Sequence, residues 1–490
     1  MFKAVRAGNK RKARSLQKLI LRSRSARFLA IRQVTQLNSG KRTAGVDLNT
    51  PLNIKERFNL ELLLKHGATN WYHNRLREIP IPKKNGFTRI LKVPTIADRA
   101  WQCIAKYALE PAHEATFHAQ SYGFRTGRSA HDAQRQVANH LTSGKNGINK
   151  RILEIDIEKC FDRINHNIIM DELIAPRELK QGIFRCLKAG INPEFPEQGT
   201  PQGGVVSPLL ANIALNGVEE LNHYKAHNSR RGKYKIYQAI RYADDMVIIL
   251  RPQDDADLAL NKVKEFLAER GMNVSEAKTK LTASTSGFDF LGWRFYVQRN
   301  GKFRSIPSAD NFKVFRKKVK KTANCSNYVA RVKAKKLAPI VRGWRQYHKH
   351  CKLDGSKLSL WYLNHRTFKV FNKEKKQDRY TAEKLVKQAF PSVPYSEHGH
   401  IMVKGDKSPY DGDLVYWSKR KSKLYHDLTS KLLIKQSHTC GHCGLKFVDD
   451  EIIHVHHIDG NHNNRKHKNL TVVHQSCHQY IHMSKKGEED

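Results

Sequence analysis

Around residue 244 the chain places polar positions inside an apolar frame. Ile240 precedes Arg241-Tyr242-Ala243-Asp244-Asp245, and Met246-Val247-Ile248-Ile249-Leu250 follows. An unbroken apolar run of this length reads as a strand bound for a core, so the pattern predicts a short hairpin whose tight turn displays two carboxylates. Upstream, Ile152-Leu153-Glu154-Ile155-Asp156-Ile157 alternates with period two, a half-buried strand ending near Asp156, and Glu158-Lys159-Cys160-Phe161-Asp162 reads as a turn into a helix. Between them, Gly199-Thr200-Pro201-Gln202-Gly203-Gly204 lets backbone approach a ligand before the helix-forming run that ends at Ala211-Asn212. Ile79 to Arg89 predicts two strands around the Asn85-Gly86 turn.

Helical spacing takes over elsewhere. Leu16, Leu19 and Ile20, then Phe28, Ile31 and Val34, predict two basic amphipathic helices near the start. Phe312, Phe315 and Val319 line one face among Lys313, Arg316, Lys317, Lys318 and Lys320. Pro339 is predicted to open a further helix carrying Ile340, Val341, Trp344 and Tyr347. Ser408 to Trp417 reads as a turn leading into a short strand.

Charge narrows the function class. The chain has 490 residues, 89 Lys plus Arg against 45 Asp plus Glu, and a net charge of +44. That excess is spread along the chain and exceeds what solubility requires, so the expected partner is a polyanion, most simply nucleic acid bound in a salt-sensitive way. With 39% hydrophobic residues the chain can bury several cores, which excludes disorder throughout. No apolar stretch reaches about 18 residues, so membrane insertion is not expected. The first 46 residues contain no Asp or Glu. They read as an RNA-binding extension, although an organellar transit peptide has the same composition.

Two groups of residues carry candidate chemistry. Adjacent carboxylates between core strands need positive charge beside them. Asp156 and Asp244 on neighbouring strands would hold two divalent ions about 3.5–4 Å apart, the arrangement that activates a 3′-hydroxyl and holds a triphosphate, with Asp245 as third acid. Of eight cysteines, Cys103, Cys160, Cys186, Cys325 and Cys351 are scattered and read as small apolar residues. Cys440-x-x-Cys443 and His474-x-x-Cys477 instead form two knuckles suited to structural Zn²⁺.

The order of Arg89 to Gln102, Ser121-Tyr122-Gly123-Phe124-Arg125, the Asp156 strand, Pro201-Gln202-Gly203, Tyr242 to Asp245, Lys278-Thr279 and Phe290-Leu291-Gly292-Trp293 resembles the successive blocks of a reverse transcriptase. More narrowly it resembles the group II intron-encoded reverse transcriptase and maturase. The resemblance implies a Mg²⁺ site at Asp156, Asp244 and Asp245, with the Ile157 carbonyl assisting. It implies a triphosphate clasp at Lys83, Lys84 and Arg89, a steric gate at Phe161 against a 2′-hydroxyl, and a sugar contact at Gln202. Lys278 would protonate the leaving group, and Phe290, Leu291 and Gly292 would form the primer grip. Arg89-Ile90-Leu91 departs from the usual Arg-Pro-Leu, while Arg342 to Tyr347 resembles the family's thumb.

The tail, with ten of the 25 histidines in its last 60 residues, resembles an HNH endonuclease of ββα-metal fold. That match implies His457 as general base, Asn469 orienting it, and a divalent ion held by His456 and His478 with His482 as a further ligand. After Asp459 the chain runs Gly460-Asn461-His462-Asn463-Asn464, where the family commonly has a proline and paired glycines.

The expected fold is α+β, a right-hand polymerase with fingers, palm and helical thumb, a small DNA-binding region and the ββα module. The expected boundaries are 1–45 for the basic extension, 46–300 for fingers and palm, 301–375 for the thumb, 376–430 for the DNA-binding region and 431–490 for the nuclease. The expected activity is cDNA synthesis at a nicked target, with splicing of the intron. Partners would be intron RNA, double-stranded target DNA, a template–primer duplex and deoxynucleoside triphosphates, in a bacterial cytoplasm on the nucleoid or in an organelle. Two alternatives stay open: a splicing maturase with weak or no catalysis, and a reverse transcriptase of another lineage.

Overall fold

The computed structural model describes residues 1–49, 52–82, 88–190, 196–201, 203–225, 235–374, 378–425, 427–447 and 452–484. Lys83, Lys84 and Gln202 lie outside them, and so does the Arg89 side chain.

Thirteen strands are described: β1 (Arg77–Pro82), β2 (Thr88–Val93), β3 (Arg151–Asp156), β4 (His223–Lys225), β5 (Lys235–Tyr237), β6 (Ala239–Tyr242), β7 (Asp245–Leu250), β8 (Lys280–Ala283), β9 (Phe288–Phe290), β10 (Trp293–Val297), β11 (Phe303–Pro307), β12 (Ile453–His457) and β13 (Leu470–His474). The palm is the antiparallel sheet β6-β7-β3-β8. Successive side chains of a strand point to opposite faces, and here each face enters a different core. Leu153, Ile155, Met246, Ile248 and Leu250 pack with the fingers helix Ile96–His113, while Ile152, Ile240, Val247 and Ile249 pack toward the thumb. Burial on both faces explains why 246–250 is apolar at every position.

The fingers hairpin β1–β2 pairs Arg77 with Val93 through Pro82 with Thr88. Helices Lys10–Arg22 and Arg24–Arg32 pack on Ile96–His113. The inward face of the first is Ala13, Gln17 and Leu21, whereas Leu19 is 64% exposed. Gln17 is buried and donates to the carbonyls of Ala108 and Ile174 (3.1 and 2.7 Å), a polar anchor that displaces the expected leucine face.

The thumb comprises helices Ala309–Ala323, Ala330–His348, Trp361–Asn372 and Arg379–Ala389. Phe315 and Val319 are buried in it, as their spacing predicts. Pro339 does not open a helix: it lies inside Ala330–His348, exposed on the outer face. The helix runs through it because Ala334, Leu337, Val341 and Trp344 are buried, so packing outweighs the lost backbone donor. The segment after Ser408 is also not a strand. It forms a 3₁₀ turn, Pro409–Asp411, and then helix Leu414–Leu424, capped by Asp413, whose side chain accepts from the Tyr416 N–H at 3.0 Å.

That segment is fastened to the helix Ala130–Leu141. Buried Asp132 accepts from the Val403 N–H (2.8 Å) and Arg420 (3.3 Å) and pairs with His400 (3.1 Å). The last module packs helix Asp427–Lys435, β12, β13 and helix Gln475–Ser484 around Leu432, Phe447, Leu470 and Val472. Among the described residues no helix is long and apolar enough to cross a membrane.

Candidate functional site

The register of β3 on β7 sets Asp156 directly opposite Asp245. Tyr242 pairs with Asp245 across β6–β7, so the two-residue turn is Ala243-Asp244, and Asp245 belongs to the strand rather than to the turn. Ala243 has φ 59°, the left-handed value that a tight hairpin turn demands. Gly123 presses on that turn so closely that a Cβ there would overlap the Ala243 nitrogen.

Beneath the turn lies Arg241, fully buried. It donates to Glu219 (2.6 Å), Asn212 Oδ1 (3.0 Å), Ser121 Oγ (2.9 Å) and the Ala243 carbonyl (3.0 Å). Burial alone would raise the Glu219 carboxyl, yet the guanidinium beside it holds it below the ordinary range. Asp245 opens to solvent but sits among protein atoms. Its carboxyl is pushed up to about 6 by lost solvation, then by Asp244 and Asp156, against the opposing pull of Lys278. Lys278 Nζ lies 2.8 Å from Asp156. Carboxylate oxygens gathered at one end of two paired strands fit a hard divalent cation. Ile157 follows Asp156 and is bridged to Val274.

A cavity of about 270 Å³ adjoins Asp244 and is lined by Phe124, Phe161, Pro201, Gly203 and Gly204 among others. Lys159, at φ 43°, turns the chain so that Phe161 faces this space from the short helix Cys160–Arg163. The glycine-rich loop is bolted to it: the Thr200 N–H donates to the Phe161 carbonyl (2.6 Å) and the Val205 N–H to Gln102 (2.8 Å). Gly203, at φ 126°, sits where a Cβ would be 2.9 Å from the Lys92 carbonyl.

The Leu291-Gly292 turn between β9 and β10 is held by the thumb. Tyr347 donates to the Leu291 carbonyl (2.7 Å) and stacks on Trp293 at 4.5 Å, while Asn311 packs under Gly292. Phe290 is buried on the strand that leads into this turn.

At the tail, ligand atoms of Cys440, Cys443, His474 and Cys477 all lie within 4.8 Å of one another. The His474 Nδ1 is 3.3 Å from Cys443 Sγ and 3.8 Å from Cys477 Sγ. Burial would raise the Cys440 thiol, but N–H groups of Cys443, His442 and His474 outweigh it and bring it to about 7. Three sulfurs and one imidazole nitrogen fit zinc.

His456, His478 and His482 form a second group within 4.8 Å. His478 and His482 are one turn apart on Gln475–Ser484, with Nε2 atoms 3.3 Å apart. His457, next to His456 on β12, faces the other way, its ring 5.0 Å from His462. Asn469 gives its amide to Asp459 (2.7 Å) and Asn464 (2.9 Å) and accepts from the Asp459 N–H (3.0 Å). It therefore braces the loop after His457. The loop replaces proline and glycines with side-chain turns, Asp459 to the Asn461 N–H and Asn461 to the Asn463 N–H.

The structure thus adds Phe124, Arg241, Glu219 and Tyr347 to the residues expected from sequence. Phe124 and Tyr347 lie within recognisable motifs, but nothing in sequence marks the contacts that make them matter.

Three family models match the chain: the N-terminal domain of reverse transcriptase over residues 1–64, the reverse transcriptase (RNA-dependent DNA polymerase) over 81–295 and the group II intron maturase-specific domain over 312–389. Fold and matches together define an RNA-templated DNA polymerase joined to an intron-binding helical domain. Maturase-like protein 1 of Euglena gracilis is 38% identical, covering 91% of this chain and 93% of that one. Its namesake in Euglena longa is 33% identical, covering 80% and 83%. The group II intron-encoded protein LtrA of Lactococcus lactis is 27% identical over 54% of each. The chain belongs to the group II intron reverse transcriptase/maturase family. The family matches end at residue 389, so the reading of the tail rests on its own geometry.

Proposed function

We propose that this protein copies RNA into DNA at Asp156, Asp244 and Asp245, and that its tail cuts the DNA strand whose 3′-hydroxyl primes the copy. The observation that carries the polymerase reading is the register that sets Asp156 opposite Asp245, with Asp244 at the edge of a cavity of about 270 Å³. Mg²⁺, which the family implies, would supply charge neutralisation and activation of the primer hydroxyl. The chain's own residues do the positioning. Phe161 walls the sugar, Gln202 touches it, Lys83, Lys84 and Arg89 clasp phosphates, and Phe290 with Leu291-Gly292 holds the primer end. Lys278, paired with Asp156 at 2.8 Å, would in this reading pass a proton to departing pyrophosphate.

A separate observation favours the nuclease: three imidazoles converge on a hairpin-plus-helix beside which the ligand atoms of Cys440, Cys443, His474 and Cys477 gather within 4.8 Å. In this reading His457 takes the proton from water, Asn469 holds the loop that presents it, and His456, His478 and His482 face a divalent ion at the scissile phosphate. The maturase thumb binds intron RNA, so the protein would travel with the RNA it copies.

Asp244→Ala is expected to abolish primer extension on an RNA template while splicing persists. His457→Ala is expected to abolish DNA nicking alone. Normal extension by Asp244→Ala, or undiminished nicking by His457→Ala, would remove the corresponding half of the proposal.

A further inference from the structure

Phe124 is half-exposed, 49%, and holds φ 57°. A bulky residue rarely takes the left-handed region, because its Cβ crowds the backbone. Both sides of it are clamped. Before it, the Tyr122 N–H donates to the Arg241 carbonyl (2.9 Å), and the Gly123 carbonyl accepts from buried Asn212 (2.8 Å). After it, buried Arg125 makes a two-pronged pair with Glu114, 2.8 Å on each arm, and donates to the carbonyls of His118 and Ser121. The backbone at Phe124 is thus tied to the same turn that carries Asp244.

What this conformation presents is a ring at the wall of the Asp244 cavity. It meets Phe161 edge to face, with centroids 6.4 Å apart and planes at 77°. Such a pair is a favourable aromatic geometry, and it leaves the Phe161 ring backed rather than free to tilt. A stability role fits poorly, since half the ring surface stays in water while the backbone is strained. Strain held in place by buried hydrogen bonds beside a reacting centre is the kind that serves a site.

We propose that Phe124 is a specificity-determining positioning residue: it fixes the Phe161 ring as an unyielding wall against the 2′-position, so that deoxynucleotides are accepted and ribonucleotides refused. This rests on the reading of Phe161 as the sugar gate. A gate that can tilt would make room for one hydroxyl. A backed gate cannot.

Phe124→Gly tests this in the full-length protein, because glycine removes the ring and relieves the positive φ together, so folding is not put at risk. Single-nucleotide insertion on an RNA template would be measured with each dNTP and its rNTP. The efficiency ratio of rNTP to dNTP should rise by about 10–100-fold, the scale set by one small group in a pocket. The rise should come from a lower KM for the rNTP. Phe124→Tyr, which keeps the ring, should retain discrimination. Phe161→Ala separates the two readings. If it leaves rNTP use unchanged, the gate assignment fails and this inference with it. If it raises rNTP use while Phe124→Gly does not, the inference alone fails. Acting through Phe161 also requires that Phe124→Gly add nothing to Phe161→Ala, and a further additive rise would overturn the positioning role.

Discussion

Replacing Arg241 by methionine should loosen the turn that carries Asp244 without altering Asp156, Asp244 or Asp245. In the native protein Arg241 and Glu219 are both fully buried and paired at 2.6 Å. Removing one member of a buried pair leaves an uncompensated group and typically costs about 3–5 kcal/mol. At about 1.4 kcal/mol per decade, that is roughly two to three and a half decades in the local opening equilibrium. Opening is better read locally than from a global midpoint, since a chain with several cores does not unfold as one unit. Hydrogen exchange at Ile240, Val247 and Ile249 is therefore the assay, with thumb amides as reference. Arg241→Met mixes the stranded Glu219 with the donors lost to the Ala243 carbonyl, Asn212 and Ser121. Arg241→Met with Glu219→Met separates them. Removing both charges should restore most of the protection, because apolar replacements of a buried pair are often neutral. Primer-extension kcat should stay reduced by about tenfold or more, the worth of one hydrogen bond from a charged donor. If the double variant recovers kcat together with protection, the hold on Ala243 contributes nothing and the bracing argument is refuted.

Two further outcomes follow from the buried histidines and the thiolate cluster. His131 and His350, 5.3 Å apart where the helix Ala130–Leu141 meets the thumb, are each lowered to about 4, chiefly by burial, with the Tyr347 carbonyl opposing it at His131 and the Ser396 carbonyl at His350. The unfolded chain takes up these protons near 6.5, so stability is complete above that pH and falls as pH drops from 6.5 toward 4. Limited proteolysis of the junction should accelerate between pH 7 and 5, and equal rates across that range would contradict the burial argument. Cys443→Ser should release one zinc per chain by elemental analysis and expose β12 and β13 to exchange, with primer extension unaffected; retained zinc would exclude Cys443 as a ligand.

The acids were legible because period-two alternation and a bounded apolar run are local signals, and the register follows once both strands are recognised. The metal-type clusters were legible for a similar reason, since knuckle spacing and one helical turn are short-range geometry. What stayed hidden depends on partners distant in sequence. Gln17 is buried because two carbonyls from other segments need a donor, which displaces the expected leucine face. Pro339 sits mid-helix because neighbouring helices bury Leu337 and Val341 around it. Helix Leu414–Leu424 replaces a strand because Asp413 caps it and Trp417 packs inward, donating to the Ser408 carbonyl at 3.0 Å. Phe124 looks ordinary until its φ is known.

Donor chemistry offers a reason why polymerase and tail can share one chain. Asp156, Asp244 and Asp245 offer oxygen only, the preference of Mg²⁺. Cys440, Cys443, His474 and Cys477 offer mainly sulfur, and His456, His478 and His482 offer nitrogen, both better matched to zinc and its neighbours. Zinc at low free concentration would therefore be drawn to the tail, leaving the carboxylates to the abundant harder ion. Their position answers an electrostatic need as well. A chain of net charge +44 attracts phosphates over much of its surface, so polycation alone cannot say where a triphosphate should react. Three acids at one end of the palm sheet repel phosphate, so docking of a triphosphate at that point would be conditional on metal.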